Sequence, residues 1–72
     1  MSQRSLESLE SGEVASIYSV IGTQMARRLT ELGFVPQATV EMIRSGNPCI
    51  VSIERSRLSL GAPLQRDVIL TE

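Results

Sequence analysis

The stretch Arg27-Arg28-Leu29-Thr30-Glu31-Leu32-Gly33-Phe34-Val35-Pro36 decides how this chain folds. Together with Met25, the residues Leu29 and Leu32 recur at helical spacing and make one apolar stripe. Arg27 and Glu31 fall on the opposite side, one turn apart, with Arg28 on the flank. Gly33 stands where a helix needs a residue tolerant of positive φ to stop. Pro36 then starts a run of strands. The pattern predicts one short helix over 24–32, with Thr23 placed to cap its first turn. A helix of this length is not stable alone, so its stripe must dock on the rest of the chain.

Everything on either side of that helix reads as strand or turn. Residues 1–5 are polar and expected to fray. Leu6 and Leu9 have the spacing of one helical turn or of two anchors on a short leading segment. After a turn at Glu10-Ser11-Gly12-Glu13, residues 13–21 alternate. Ala15, Ile17 and Ile21 fall on one face, and Val14, Tyr18 and Val20 on the other. Beyond Pro36-Gln37, residues 38–44 point Val40 and Met42 inward. Ser45-Gly46-Asn47-Pro48 is a polar turn. Residues 49–54 follow, with Val51 and Ile53 inward, and then a turn at Arg55-Ser56. Leu58 and Leu60 mark a fourth strand, which Gly61-Ala62-Pro63 ends. Leu64 plugs one end of the core, and residues 68–70 close the sheet. The expected fold is mainly β: a small, partly open SH3-like barrel of about five strands with one helix after the first strand. An OB-type barrel, the rival, usually carries its helix between the third and fourth strands.

Seventy-two residues suit a single domain over 1–72, small enough that its core is marginal. Cys49 is the only cysteine, so no intrachain disulfide staples it. A lone thiol fits a reducing compartment and reads as a small buried apolar residue. Seven arginines, no lysine and eight acids leave a net charge of −1. That balance, with only Tyr18 and Phe34 as aromatic platforms, argues against a nucleic-acid partner. The N-terminus has no apolar signal-peptide core, and no apolar run reaches the roughly 18 residues that span a bilayer. A cytoplasmic protein is expected, with any membrane link made through a partner.

The chain resembles the FeoA family of small accessory proteins in bacterial ferrous-iron uptake. The residues that carry the resemblance are Leu6, Leu9 and Gly12-Glu13 leading into Ala15 and Ile17; then Arg28-Leu29, Leu32-Gly33-Phe34 and Pro36. Val40, Arg44, Pro48, Leu58, Leu60 and Ile69 follow at matching positions. The family has glycine after the proline; here it is Gln37, which suggests a turn other than type II. The resemblance implies an SH3-like binding module rather than an enzyme. Its implied partner is FeoB, the membrane transporter with a cytosolic GTP-binding domain. A related domain also occurs at the C-terminus of metal-dependent repressors, which makes a stand-alone regulatory domain the second reading.

No self-contained chemistry competes with that reading. A ferrous site uses imidazole and carboxylate ligands, and the chain has no histidine. Glu7, Glu10 and Glu13 read as a solvated acidic edge. Cys49 has no histidine to activate it, and the five glycines are too scattered to cradle a phosphate. No catalytic residue, metal ligand or cofactor site is therefore expected. What remains is surface. Arg27, Arg28 and Glu31 on the helix suit a partner's charges or simply face solvent. Phe34 beside Pro36 is either an exposed anchor or a plug of the core. Arg57, near a hairpin tip with Arg55, is placed to reach acidic groups on a partner. An exposed strand edge also leaves room for a homo-oligomer.

Overall fold

The computed structural model describes residues 4–22 and 25–71. Its six strands are β1 (Arg4–Ser5), β2 (Val14–Val20), β3 (Thr39–Arg44), β4 (Cys49–Ile53), β5 (Ser56–Leu60) and β6 (Val68–Thr71). Two short helices join them, α1 (Ala26–Glu31) and α2 (Ala62–Asp67), and a 3-10 turn covers Leu6–Ser8. The strands form one antiparallel sheet in the order β1-β6-β2-β3-β4-β5. The expected barrel is therefore present, with one strand and one helix more than the sequence pattern revealed. Of the segment expected to fray, Arg4 and Ser5 pair with Leu70 and Ile69, and residues 1–3 lie outside the described residues. Thr23, the expected cap of α1, lies outside the described residues.

The inward faces of the strands alternate as period two demands. Val40 and Met42, Cys49, Val51 and Ile53, and Leu60 are buried, and Leu6 and Leu9 close the core from the leading segment. Leu64 packs partly buried against this cluster, as expected. One expected alternation fails. The β2–β6 register shifts between Ile17 and Ser19, so Tyr18 is the extra residue of a β-bulge. A one-residue slip exchanges the faces beyond it. Val20 consequently packs on the core, whereas Ile21 and Tyr18 are about half exposed.

Helix α1 ends in a Schellman turn. Gly33 has φ +113°; its N–H donates to Thr30 O at 3.0 Å, and the Phe34 N–H donates to Leu29 O at 3.0 Å. That geometry folds Phe34 back onto Leu29, and both are buried. Only Leu29 of the apolar stripe is fully docked, because Met25 and Leu32 remain more than a third exposed.

Two turns differ from expectation. At Val35–Ala38, Gln37 has φ +75°, and the Ala38 N–H donates to Val35 O at 3.0 Å. With Pro36 at its second position this is the type II pattern, kept without its glycine. Bonds between Gln37 N–H and Ile17 O (2.7 Å) and between Ile17 N–H and Ala38 O (2.8 Å) hold the turn against β2. Tertiary bonds thus force a left-handed glutamine. Left-handed backbone costs a non-glycine residue about 1–2 kcal/mol, and glycine's extra freedom in the unfolded chain takes back about 0.5–1 kcal/mol. Gln37→Gly is therefore expected to stabilise the fold by about 0.5–1 kcal/mol, read as a higher urea midpoint.

The β4–β5 turn also sits one residue earlier than expected. Ile53 pairs with Ser56, so the turn residues are Glu54 (φ 48°) and Arg55 (φ 68°). Left-handed conformations at both central residues match the twist of a two-residue hairpin.

Helix α2 is absent from the sequence reading because its supports are distant. Its first free N–H, on Ala62, donates to Asn47 Oδ1 at 2.9 Å. Gln65, almost wholly buried, donates from Nε2 to Gly46 O and Leu60 O, both at 2.9 Å. Pro63 suits the first turn, where its missing N–H has no helical partner to lose.

Candidate functional site

The polar residues of α1 are outside, as their helical spacing requires. Arg27 Nε and Glu31 Oε2 lie 3.7 Å apart, with both side chains largely in solvent. An exposed pair one turn apart contributes only about 0.3–0.5 kcal/mol, so these charges are freely available to a partner. Arg28 is exposed and makes no ion pair with a described residue. Phe34 is the correction. At 1% exposure it is a core plug, placed there by the Schellman turn, and it offers no surface anchor. Pro36 is exposed and, with Ser16, Ile17, Tyr18, Gln37 and Thr71, lines a shallow groove of about 360 Å³. The aromatic ring on this surface is Tyr18, about half exposed on the outward face that alternation with buried Ile17 gives it.

Arg57 is exposed on the outward face of β5, opposite Ser52 of β4. It is joined to the helix through the hairpin tip. A Cβ on Gly33 would lie 2.7 Å from Glu54 Cγ, so the end of α1 and the β4–β5 turn touch. The structure thus brings Arg28, Glu31, Arg55 and Arg57 onto neighbouring elements and takes Phe34 out of the set. Arg44, which the surface reading passed over, lines a second shallow groove of about 420 Å³ with Asn47, Ile50 and Ser59 among its walls.

The acidic edge is occupied locally. Glu13 Oε1 accepts the Glu10 N–H at 2.8 Å, and Glu7 Oε2 accepts Arg66 Nε at 3.3 Å. Among the described residues, no three His, Cys, Asp or Glu side chains gather in a way that would hold a metal ion. No helix there is long and apolar enough to cross a membrane.

Cys49 is fully buried. Burial pushes its thiol up, against weaker opposing hydrogen bonds from the Leu60 and Cys49 backbone. The folded state therefore holds this proton more tightly than the unfolded chain does. The resulting stability is complete below the ordinary thiol pKa of about 8.5 and falls as pH rises from there toward the raised folded value. Urea titrations from pH 8 to 10 should show a decline approaching but not exceeding about 1.4 kcal/mol per pH unit. Cys49→Ala should lower stability overall and remove that part of the slope.

These elements define the class: a small SH3-like β-barrel with a helix between its second and third strands, presenting charged and groove-forming surfaces. A family model described as the FeoA domain matches residues 4–71, and the chain belongs to that family. Among solved structures, it is similar to an iron uptake regulatory protein, FeoA (25% identity, TM-score 0.84, covering 99% of this chain and 97% of that one). It is also similar to zinc-complexed FeoA of Stenotrophomonas maltophilia (29% identity, TM-score 0.86, covering 93% and 88%). That protein is described as an SH3-domain protein suggested to act as a bacterial ferrous iron transport activating factor. A manganese-dependent transcriptional repressor shares the fold at 16% identity and TM-score 0.85, over 97% of this chain and 41% of the repressor. No curated protein matches the sequence.

Proposed function

We propose that this chain is a non-catalytic accessory protein of ferrous-iron uptake. It acts in the cytoplasm as one domain over 1–72 and binds the cytosolic, GTPase-containing part of a FeoB-type transporter. It reaches the membrane only through that transporter, takes no nucleic-acid partner and needs no cofactor of its own. The observation that carries this reading is the FeoA-domain match over 4–71, together with an iron uptake regulatory protein that is similar over nearly the full length of both chains. The contact surface consists of Arg27, Arg28 and Glu31 on α1 together with Pro36 and Arg57. Arginine forks suit the carboxylates of such an interface.

The test is a calorimetric titration of this protein into the cytosolic region of a cognate transporter with a GTP analogue, with GDP and without nucleotide. Binding that depends on the nucleotide makes the protein a regulator, and binding indifferent to it makes a scaffold. No binding in any of the three states overturns the reading. The repressor likeness favours the second reading, a stand-alone regulatory domain acting by protein contact. Association with a DNA-binding protein in place of the transporter would select it.

A further inference from the structure

We propose that the free edge of β5 is a docking strand for an extended acidic segment of a partner protein, which adds to the sheet beside Arg57 and Ser59. The inference rests on the reading of this chain as a protein-binding module and names a surface for it. β5 ends the sheet order and is paired along one side only, with β4. In the two-residue hairpin, the closing pair Ile53–Ser56 is the one that exchanges hydrogen bonds. By alternation, Leu58 and Leu60 bond toward β4, whereas the N–H and C=O of Arg57 and Ser59 point to the open edge. Ser56, Arg57 and Ser59 are exposed, and among the described residues no backbone group bonds to the outward N–H and C=O of Arg57 and Ser59.

The charge beside the edge selects the occupant. Arg57 lies on the outward face, and Arg55 stands at the hairpin tip. Ser59 pairs with Ile50, which pairs in turn with Arg44, so the outward row from Ser59 leads to a third arginine. Arg44 and Ser59 line the same shallow groove. Arg44, Arg55 and Arg57 are all exposed, and none forms an ion pair with a described residue. On the paired strands the acids are Glu54 in the turn and Glu41, two strands away opposite Ser52, and Glu31 on α1 is already beside Arg27. A second copy of this chain would bring these arginines toward their like, which opposes edge-to-edge pairing. An extended segment with acids on alternate residues places its carboxylates over Arg57 and toward Arg44 while its backbone bonds to Arg57 and Ser59.

The test uses isotope-labelled protein and a synthetic peptide alternating glutamate with valine and threonine. A matched peptide with lysine in place of glutamate is the control. Amide shift changes should centre on residues 55–60, and exchange of the Arg57 and Ser59 amides should slow. Ser59→Pro removes an outward N–H that the fold does not use, and should weaken binding at least tenfold while leaving the other amide signals native. The double variant R44E/R57E should lose the acidic peptide by a similar factor and gain the lysine peptide. Shifts centred on α1, equal binding of both peptides, binding insensitive to both variants, or edge self-association that Ser59→Pro abolishes would each overturn the proposal. Transporter binding unaffected by either variant would overturn it too, leaving the transporter partnership standing but taking Arg57 out of its contact surface. Peptide capture at the edge without any transporter binding would do the reverse.

Discussion

Phe34→Ala is expected to bring the protein to the edge of unfolding. The ring is 1% exposed and belongs to the central cluster with Leu29. Truncating a buried phenylalanine costs about 3–5 kcal/mol, through lost transfer energy and the cavity left behind. A 72-residue domain has about 4–11 kcal/mol in total at ordinary stability per residue. The change therefore removes from about a quarter to all of it. Circular dichroism with urea should show a sharply lowered midpoint or no native baseline. Phe34→Leu, which keeps most of the volume, should lose much less. A Phe34→Ala variant with an unchanged midpoint and impaired partner binding would return the ring to the surface and contradict the structure.

Gly33→Ala should cost about 2–4 kcal/mol, from two separable sources: left-handed strain and overpacking. The first is local. At φ +113° a side chain is strained wherever its atoms go. The second is tertiary. The new methyl would lie 2.7 Å from Glu54 Cγ and 3.3 Å from Glu54 Cβ, so the hairpin tip would have to move. A change of χ1 at the exposed Glu54 can take Cγ away, but Cβ at 3.3 Å is fixed to the turn backbone and has to give by a few tenths of an ångström. The pair Gly33→Ala and Glu54→Gly separates the sources. The double variant relieves the collision and keeps the strain, so it should be more stable than the sum of the single effects predicts. Strict additivity would show that the contact carries no weight. Because α1 and the hairpin tip meet here, the displaced tip should also lower affinity for any partner that bridges Arg28 and Arg57.

Both predictions rest on one ten-residue stretch, and that stretch was the most legible part of the chain. The period of Leu29 and Leu32, the stop at Gly33 and the restart at Pro36 depend on interactions within a few residues, and sequence encodes those directly. The inward residues of β3 and β4 follow from period two in the same way. The candidate surface was legible only in part. Arg27, Arg28 and Glu31 had to be outside once Leu29 was inside, and Arg57 had to face away from Leu58 and Leu60. Phe34 had two homes open to it, because a residue just past a helix end points wherever the cap sends it. The Schellman bonds to Thr30 and Leu29 chose the core.

By itself, then, the sequence determined the type of barrel, the position and end of α1, most of the inward set and the family. These are matters of period, φ tolerance and local motif. Tertiary structure decided what depends on residues far apart in the chain. The bulge at Tyr18 exists because β2 must pair with β6 across a shifted register. The left-handed Gln37 is held by bonds to Ile17. Helix α2 is capped by Asn47, fifteen residues earlier, and anchored by Gln65 to Gly46, nineteen residues earlier. The open edge of β5 likewise appears only when the strands are placed in order. No short window of sequence contains both partners of such a contact, so only the folded sheet could decide them.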